Sequence, residues 1–130
     1  MSFKAEMLLE GNTYPLNGLS IDMSQEVDEM GRPSSASRGG IIRMEMDSLK
    51  DDVLTDWVMN ATKTLSGKIT LYRADDVFTR LKDLSFENAY CIELRERFLG
   101  AAGADRLVMM LTVSSEKVTV GRVEINNQWP

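Results

Sequence analysis

The chain of 130 residues has 20 acidic and 15 basic residues, giving a net charge of −5, and it contains one cysteine and no histidine. A chain of this length can form one domain whose core buries roughly two-thirds of the unfolded surface, so it needs no disulfide or metal for stability. These features argue against nucleic-acid binding, which requires a basic face, and against enzymes or metal sites that depend on histidine.

The N-terminal segment lacks the pattern of a secretion signal, because Glu6 and Glu10 interrupt its apolar residues. No apolar run reaches the length that a membrane-spanning helix requires. We therefore expect the chain to fold in the cytoplasm without membrane insertion. If it leaves the cell, we expect a route that reads no N-terminal signal.

The first part of the chain predicts three extended segments. Apolar and polar residues alternate over residues 2–9, which is typical of a strand with one buried face. A turn at residues 10–12 leads into a second segment at 13–16. Within it, Pro15 requires a sheet edge or a bulge, because proline cannot donate a ladder hydrogen bond. Alternation then continues over residues 19–24.

Residues 25–40 differ from their neighbours, since they are rich in glycine and serine and show no hydrophobic period. A loop this long is uncommon in a small domain and is usually functional or disordered. A strand follows at 42–47, and the apolar spacing then predicts a helix over about residues 49–62. Ser48 or Asp51 can cap this helix, and Trp57 lies on the stripe expected to face the core.

The second half of the chain returns to strand patterns. These cover residues 69–71, a longer run that begins near Leu81, residues 106–113 and residues 118–125. The middle of the 106–113 run is continuously apolar, which predicts a strand covered on both faces. Many short strands with one helix predict a mainly β fold, a small β-barrel of two packed antiparallel sheets with one short α-helix.

No set of side chains has the spacing of a catalytic or cofactor-binding motif. The adjacent acids at 51–52 are explained by helix capping, and those at 75–76 by a turn, with a hard cation as the alternative for the latter pair. Cys91 is expected to be a buried, unreactive thiol. The glycines at 31, 39 and 40 indicate tight turns or positive φ angles. We therefore expect no catalytic site, no metal and no cofactor.

Charge is segregated along the long loop and its flanks. The acidic residues Asp22, Glu26, Asp28 and Glu29 come first, and the basic residues Arg32, Arg38 and Arg43 follow. One interpretation is a pair of solvated loop flanks. The other is a surface on which the acidic part of one copy meets the basic part of the next, which sets orientation in a head-to-tail assembly. Near the end of the sequence, Trp129 needs a packing partner in its own barrel or in a neighbouring subunit.

The long loop contains the run Gln25-Glu26-Val27-Asp28-Glu29-Met30-Gly31-Arg32-Pro33-Ser34-Ser35, followed by Arg38-Gly39-Gly40. In this run the chain resembles the tube protein family of type VI secretion systems, called Hcp or TssD, in its Bacteroidetes form. Residues 1–6, 66–67, 86–90 and 129–130 are also similar to that family, so the resemblance extends from end to end.

The resemblance implies one Hcp-like tube-protein domain over residues 1–130, related to phage tail tubes, with residues 24–40 as an extended loop between subunits. It implies hexameric rings with a wide channel, stacked into the inner tube that carries or delivers effectors, and partners among the sheath, spike and effector proteins. The chain would assemble in the cytoplasm and then be secreted without a signal peptide. Alternatives are a ring-shaped effector carrier or adaptor and a phage-like tail tube protein. The residues expected at the subunit or ring interface are Glu26, Asp28, Glu29, Arg32, Pro33, Arg38 and Trp129.

Overall fold

The computed structural model describes residues 3–24, 27–32, 38–48, 52–74, 78–100, 106–127 and 129. Eight strands and one helix lie within these ranges, which confirms the mainly β fold with a short helix. In chain order the elements are β1 (Phe3–Leu9), β2 (Asn12–Leu16), β3 (Gly18–Ser24), β4 (Arg38–Asp47), α1 (Asp52–Met59), β5 (Leu65–Ala74), β6 (Phe78–Leu99), β7 (Arg106–Val120) and β8 (Val123–Asn126).

The strands pair antiparallel in the order β2-β1-β5-β6-β7-β4-β3, and β8 adds to β7. Only Asn17 separates β2 from β3 in the chain, although these strands lie at opposite ends of the order. The sheet therefore curls until its two ends meet at Asn17, while no ladder joins β2 to β3 among the described residues. The Asn17 backbone N–H donates to the Glu45 carbonyl at 2.7 Å, and the Asn17 side chain donates to Asp47 at 3.0 Å. The two predicted sheets are thus two parts of one hydrogen-bonded sheet.

Two irregular positions follow from the sequence. Pro15 lies in β2, the terminal strand of the order, as its missing N–H predicts. The long strand β6 has a register shift between Cys91 and Glu93. Such a bulge bends a strand and increases its twist, so one chain segment can serve two differently oriented parts of the barrel.

Alternate side chains of the strands fill the barrel. Its largest fully buried side chains include Tyr14, Met7, Leu9, Ile42, Met46, Ile69, Phe86, Leu111, Val113 and Val118. The helix α1 packs on β6 through Leu54 and Trp57, which are both buried. The Trp57 indole N–H donates to the Ala89 carbonyl at 2.9 Å, and its ring stacks on Phe86 with centroids 6.5 Å apart. The prediction that Trp57 anchors the helix is confirmed.

The helix is shorter than its apolar spacing indicates, because it spans Asp52–Met59. Residues 49–51, which include one of the two predicted caps, lie outside the described part of the chain. At the other end, the Asn60 side chain accepts hydrogen bonds from the Thr62 backbone N–H at 3.2 Å and from the Thr62 hydroxyl at 3.0 Å. This local turn competes with continuation of the helix.

The prediction that residues 106–113 form a strand covered on both faces holds only for part of that run. Val108 and Met109 are consecutive and both buried, whereas Leu107 is 48% exposed. The reason is that β7 pairs with β4 only as far as the Asp47–Val108 pair. Residues before Val108 continue alongside the end of β6, where they extend past the core.

Candidate assembly interface

Four strand segments form one side of the barrel, and we call them the four-stranded section: residues 93–99 of β6, 106–114 of β7, 41–47 of β4 and 18–24 of β3. Both outer strands of this section have one unpaired side among the described residues. β3 pairs only with β4, and β6 from Glu93 onward pairs only with β7. The section thus has two open edges formed by different strands, and open edges are templates for pairing with another chain.

One face of the four-stranded section belongs to the core, and the opposite face is polar. The register sets Ser20, Arg43, Thr112 and Glu93 side by side in one row across the section. Charged side chains on this polar face are Asp22, Arg43, Glu45, Asp47, Glu93, Arg95, Arg97 and Arg106. Four are acidic and four are basic, so the charges of these described residues balance while the whole chain carries −5.

A cavity of about 340 Å³ opens on the polar face, between the side chains of Ser20, Arg43, Glu93 and Thr112. Gly18 and Met110 also line this cavity and add apolar surface beside the charged side chains. The polar face thus has both charged and apolar groups within reach of a bound molecule.

Beside the four-stranded section, residues 27–32 of the long loop form a tight turn built on Asp28. The Asp28 carboxylate accepts hydrogen bonds from the backbone N–H groups of Met30, at 2.9 Å, and Arg32, at 3.0 Å. The Asp28 N–H donates to the Arg32 carbonyl at 2.8 Å, which closes the turn. Gly31 has a φ of +82°, a left-handed conformation that glycine adopts without strain.

Two ion pairs lie within the described part of the loop and its flanks. Arg32 Nε lies 3.2 Å from Asp28 Oδ2, and Arg43 contacts Asp22 on the neighbouring strand. Exposed pairs of this kind contribute little to stability, about 0–1 kcal/mol. They nevertheless give Asp28 and Arg32 a structural role inside the turn. Glu29, between them, is exposed.

The remaining residues of the predicted interface are placed to different extents. Glu26 and Pro33 lie outside the described residues. Arg38 begins β4, with its backbone opposite Ser24. The contact of acidic and basic loop parts between copies therefore stays a prediction, whereas pairing within the chain is observed for Arg32 and Arg43.

The C-terminal residues pack on their own barrel. The Asn127 side chain donates to the carbonyls of Gly39, at 2.8 Å, and Ser115, at 2.9 Å. These bonds hold the segment that leads to Trp129. The Trp129 ring then lies against Tyr90, with ring centroids 5.4 Å apart and a tilt of 33°. Trp129 thus has a packing partner in the same chain, and its predicted role between subunits is a separate proposal.

The described residues offer little chemistry. Burial raises the pKa of the Cys91 thiol to about 11, against a smaller lowering effect of its hydrogen bond to the Glu93 carbonyl. The thiol therefore stays protonated at neutral pH and lacks the reactive thiolate form. Within the described ranges, no three acidic, histidine or cysteine side chains lie together as a metal site. The one helix in these ranges, α1, is not long and apolar enough to cross a bilayer.

The open edges were not identified from the sequence. Alternation shows which side chains of a strand are buried, but it does not show whether the strand has one neighbour or two. A usable signal exists in β6, where the apolar alternation stops and the mixed charges Glu93, Arg95, Glu96 and Arg97 follow. Mixed charge at the end of a strand is typical of an edge.

Comparison with known proteins gives a consistent result. The family described as hemolysin coregulated protein Hcp (TssD) matches residues 1–130. No curated protein matches the chain.

The structure of Hcp1 from Flavobacterium johnsoniae is similar with a TM-score of 0.84 and 29% identity, over 95% of this chain and 99% of that one. Two other structures share the fold at lower identity. Hcp1 from Salmonella typhimurium has a TM-score of 0.72 and 10% identity, over 96% and 92% of the two chains. A sheath/tube terminator of an extracellular contractile injection system has a TM-score of 0.67 and 20% identity, over 90% and 92%.

Proposed function

The chain belongs to the hemolysin coregulated protein Hcp (TssD) family and is a structural tube subunit of the secretion system, and we propose that its copies close into a ring through the two open edges of the four-stranded section. Hcp proteins form stacked tube rings and are structural proteins, not enzymes. The proposal concerns how this chain builds such a ring.

The observation that carries the proposal is that the two open edges belong to different strands. Pairing the β6 edge of one copy with the β3 edge of the next is a head-to-tail contact. Repetition of such a contact produces a closed ring when 360° is a whole multiple of the rotation angle between neighbouring copies. It also satisfies the unpaired N–H and C=O groups along both strands, which otherwise invite uncontrolled aggregation.

Edge pairing also determines which face lines the channel. The bulk of each barrel lies on the core side of the four-stranded section, and in a closed ring the bulkier side faces outward. The polar face then points to the channel. With six copies the channel wall has six times four strands, about 24. Because neighbouring strands lie about 4.8 Å apart, the wall has a diameter of roughly 40 Å.

We propose that the rings stack into the inner tube, with residues 24–40 as the connector between subunits or rings. The balanced charges of the polar face suit a channel that passes cargo of either sign. The partners expected from this role are the sheath, spike and effector proteins. Hcp family proteins are secreted by the type VI system, and we propose that this chain folds and assembles in the cytoplasm before it is secreted.

Electron microscopy and sedimentation of the purified chain test the ring. We expect particles of one size with a central hole roughly 40 Å wide. Their mass should be six times 14.6 kDa, about 88 kDa. A chain that stays monomeric at every concentration measured would contradict the proposal.

A cargo-carrying role is a second candidate, and the cavity of about 340 Å³ on the polar face favours it. A cavity of this size can accept part of a small protein held in the channel. The test is co-expression with small effector proteins of the same system. A carrier should co-purify with a partner whose solubility depends on it, and Met110→Glu in the cavity floor should abolish that dependence while rings still form. A purely structural tube protein should not respond to this substitution.

A further inference from the structure

The turn of residues 27–32 exposes two apolar side chains that its own chain does not cover. Val27 is 61% exposed and Met30 is 77% exposed. The hydrogen bonds to the Asp28 carboxylate and the Arg32–Asp28 ion pair stabilise the turn. Exposed apolar side chains that are surrounded by polar residues are typical of a contact site.

An apolar cavity that could accept these two side chains opens at the connection between β2 and β3. It has a volume of about 210 Å³, and its apolar lining comes from Phe3, Ala5, Leu16, Leu19 and Leu71. Phe3, which lines this cavity, is 64% exposed, although it lies on the same face of β1 as the buried Met7 and Leu9. Small-molecule sites usually occupy about 300–1,000 Å³, so this cavity suits one or two side chains better than a cofactor.

The turn and the cavity lie at opposite ends of the same strand. The cavity is lined by Gly18 and Leu19 at the start of β3, and the turn follows the end of β3 at Ser24. Seven extended residues separate them by roughly 20 Å. The turn cannot reach the cavity of its own chain, but it can reach the cavity of a second copy placed end to end.

The direction of this contact follows from the ring proposal. Edge pairing uses the hydrogen-bonding direction, which is perpendicular to the strands. The ends of β3 are left to face copies above and below the ring.

We propose that rings stack by insertion of Val27 and Met30 of one copy into the apolar cavity between β1, β2, β3 and β5 of a copy in the adjacent ring. This inference rests on the proposed ring. It assigns an acceptor surface to the long loop, makes the contact mainly apolar, and gives Asp28 and Arg32 the role of shaping the inserted turn.

A pair of matched substitutions tests the turn. Met30→Asp should leave rings intact and weaken tube formation, because a carboxylate cannot enter an apolar cavity without loss of hydration. Met59→Asp is the control, since Met59 on α1 is exposed to a similar extent, 80% against 77%. We expect tube formation, measured by electron microscopy and sedimentation, to require at least about tenfold more Met30→Asp protein, because every subunit of a ring loses its contact together. Phe3→Asp, on the acceptor side, should have the same effect. Normal tubes from both Met30→Asp and Phe3→Asp would overturn the proposal.

Cross-linking tests the same contact without relying on tube length. A chain with both Phe3→Cys and Met30→Cys carries its two thiols at opposite ends of β3, so a disulfide formed with diamide must join different copies. On a non-reducing gel we expect a ladder of disulfide-linked copies, and its largest species should contain more copies than one ring has subunits. The buried Cys91 thiol, whose pKa is raised to about 11, should not take part. The combination Phe3→Cys with Met59→Cys is the control and should give no ladder.

The two tests separate this inference from the ring proposal. If the unsubstituted chain forms no rings, the ring proposal fails, while a ladder from the paired cysteines would still support end-to-end docking of copies. If rings form and the paired cysteines give no ladder beyond the control, docking in the cavity is wrong and the ring proposal stands.

Discussion

Proline on the open edge of β6 is expected to abolish ring formation without unfolding the barrel. The consecutive residues Arg95 and Glu96 lie in the segment of β6 that pairs only with β7. Backbone N–H groups of consecutive strand residues point to opposite sides, so one of the two faces β7 and the other faces the open edge. Proline at the second kind of position removes no hydrogen bond of the isolated chain, but it removes a donor from the proposed contact between copies.

Arg95→Pro and Glu96→Pro therefore serve as controls for each other, because one removes a donor on the open edge and the other removes a donor to β7. One variant should melt like the unsubstituted chain and sediment as a monomer, and the other should be destabilised because it loses a bond to β7. Glu96→Ala checks the side chain, which accepts a hydrogen bond from the Ser48 hydroxyl at 3.0 Å. Circular dichroism melting and sedimentation measure both properties. If each variant that folds also forms rings, the open edge of β6 is not the ring contact.

Gly40→Ala is expected to lower the free energy of unfolding by roughly 3 kcal/mol, among the larger effects of a single substitution. Gly40 has a φ of +94°, which alanine tolerates poorly. A Cβ atom there would also meet the Ser115 carbonyl oxygen at 2.5 Å and the Asn127 side-chain nitrogen at 2.8 Å. Those atoms form the hydrogen bond that holds the C-terminal segment, so the clash cannot be relieved by a simple side-chain rotation.

Substitutions at two other glycines separate the two causes of this loss, which are backbone strain and crowding of the new Cβ atom. Gly121→Ala tests backbone strain alone, because Gly121 has a φ of +62° and no atom within 4 Å of the new Cβ. Gly39→Ala tests crowding alone, since its Cβ would lie 3.1 Å from the movable Ile125 side chain. We expect Gly40→Ala to lower the melting temperature by roughly 10 °C, and the other two by less than half of that. Equal losses at all three positions would show that the close contact with Ser115 does not matter.

The structure shows pairing within the chain for part of the charge pattern of the long loop, and the contact between copies stays a prediction. In sequence, acids followed by arginines indicate two opposed surfaces for neighbouring copies. In the structure, Asp28 and Arg32 close a turn, and Asp22 and Arg43 pair across two strands. The exposed apolar residues of the turn, Val27 and Met30, are further groups that a neighbouring copy can cover.

Local patterns determined most of the secondary structure. Alternation predicted β1, β3 and β4, and the missing N–H of Pro15 correctly predicted a sheet edge. Helical spacing predicted α1 and the burial of Trp57. These features follow from the sequence because side-chain direction repeats within a few residues, every second residue in a strand and about every 3.6 in a helix. The loop motif was equally local, and it indicated the family that the whole chain matches.

The tertiary structure alone decided which strands have unpaired sides and which apolar groups remain uncovered. β2 and β3 are adjacent in sequence and yet lie at opposite ends of the sheet order, so their neighbours depend on how the whole sheet closes. Phe3 shares one face of β1 with the buried Met7 and Leu9 and is nevertheless exposed, because it lies at the beginning of the strand. Burial and pairing depend on contacts between residues far apart in the chain, and no pattern within a single segment encodes them.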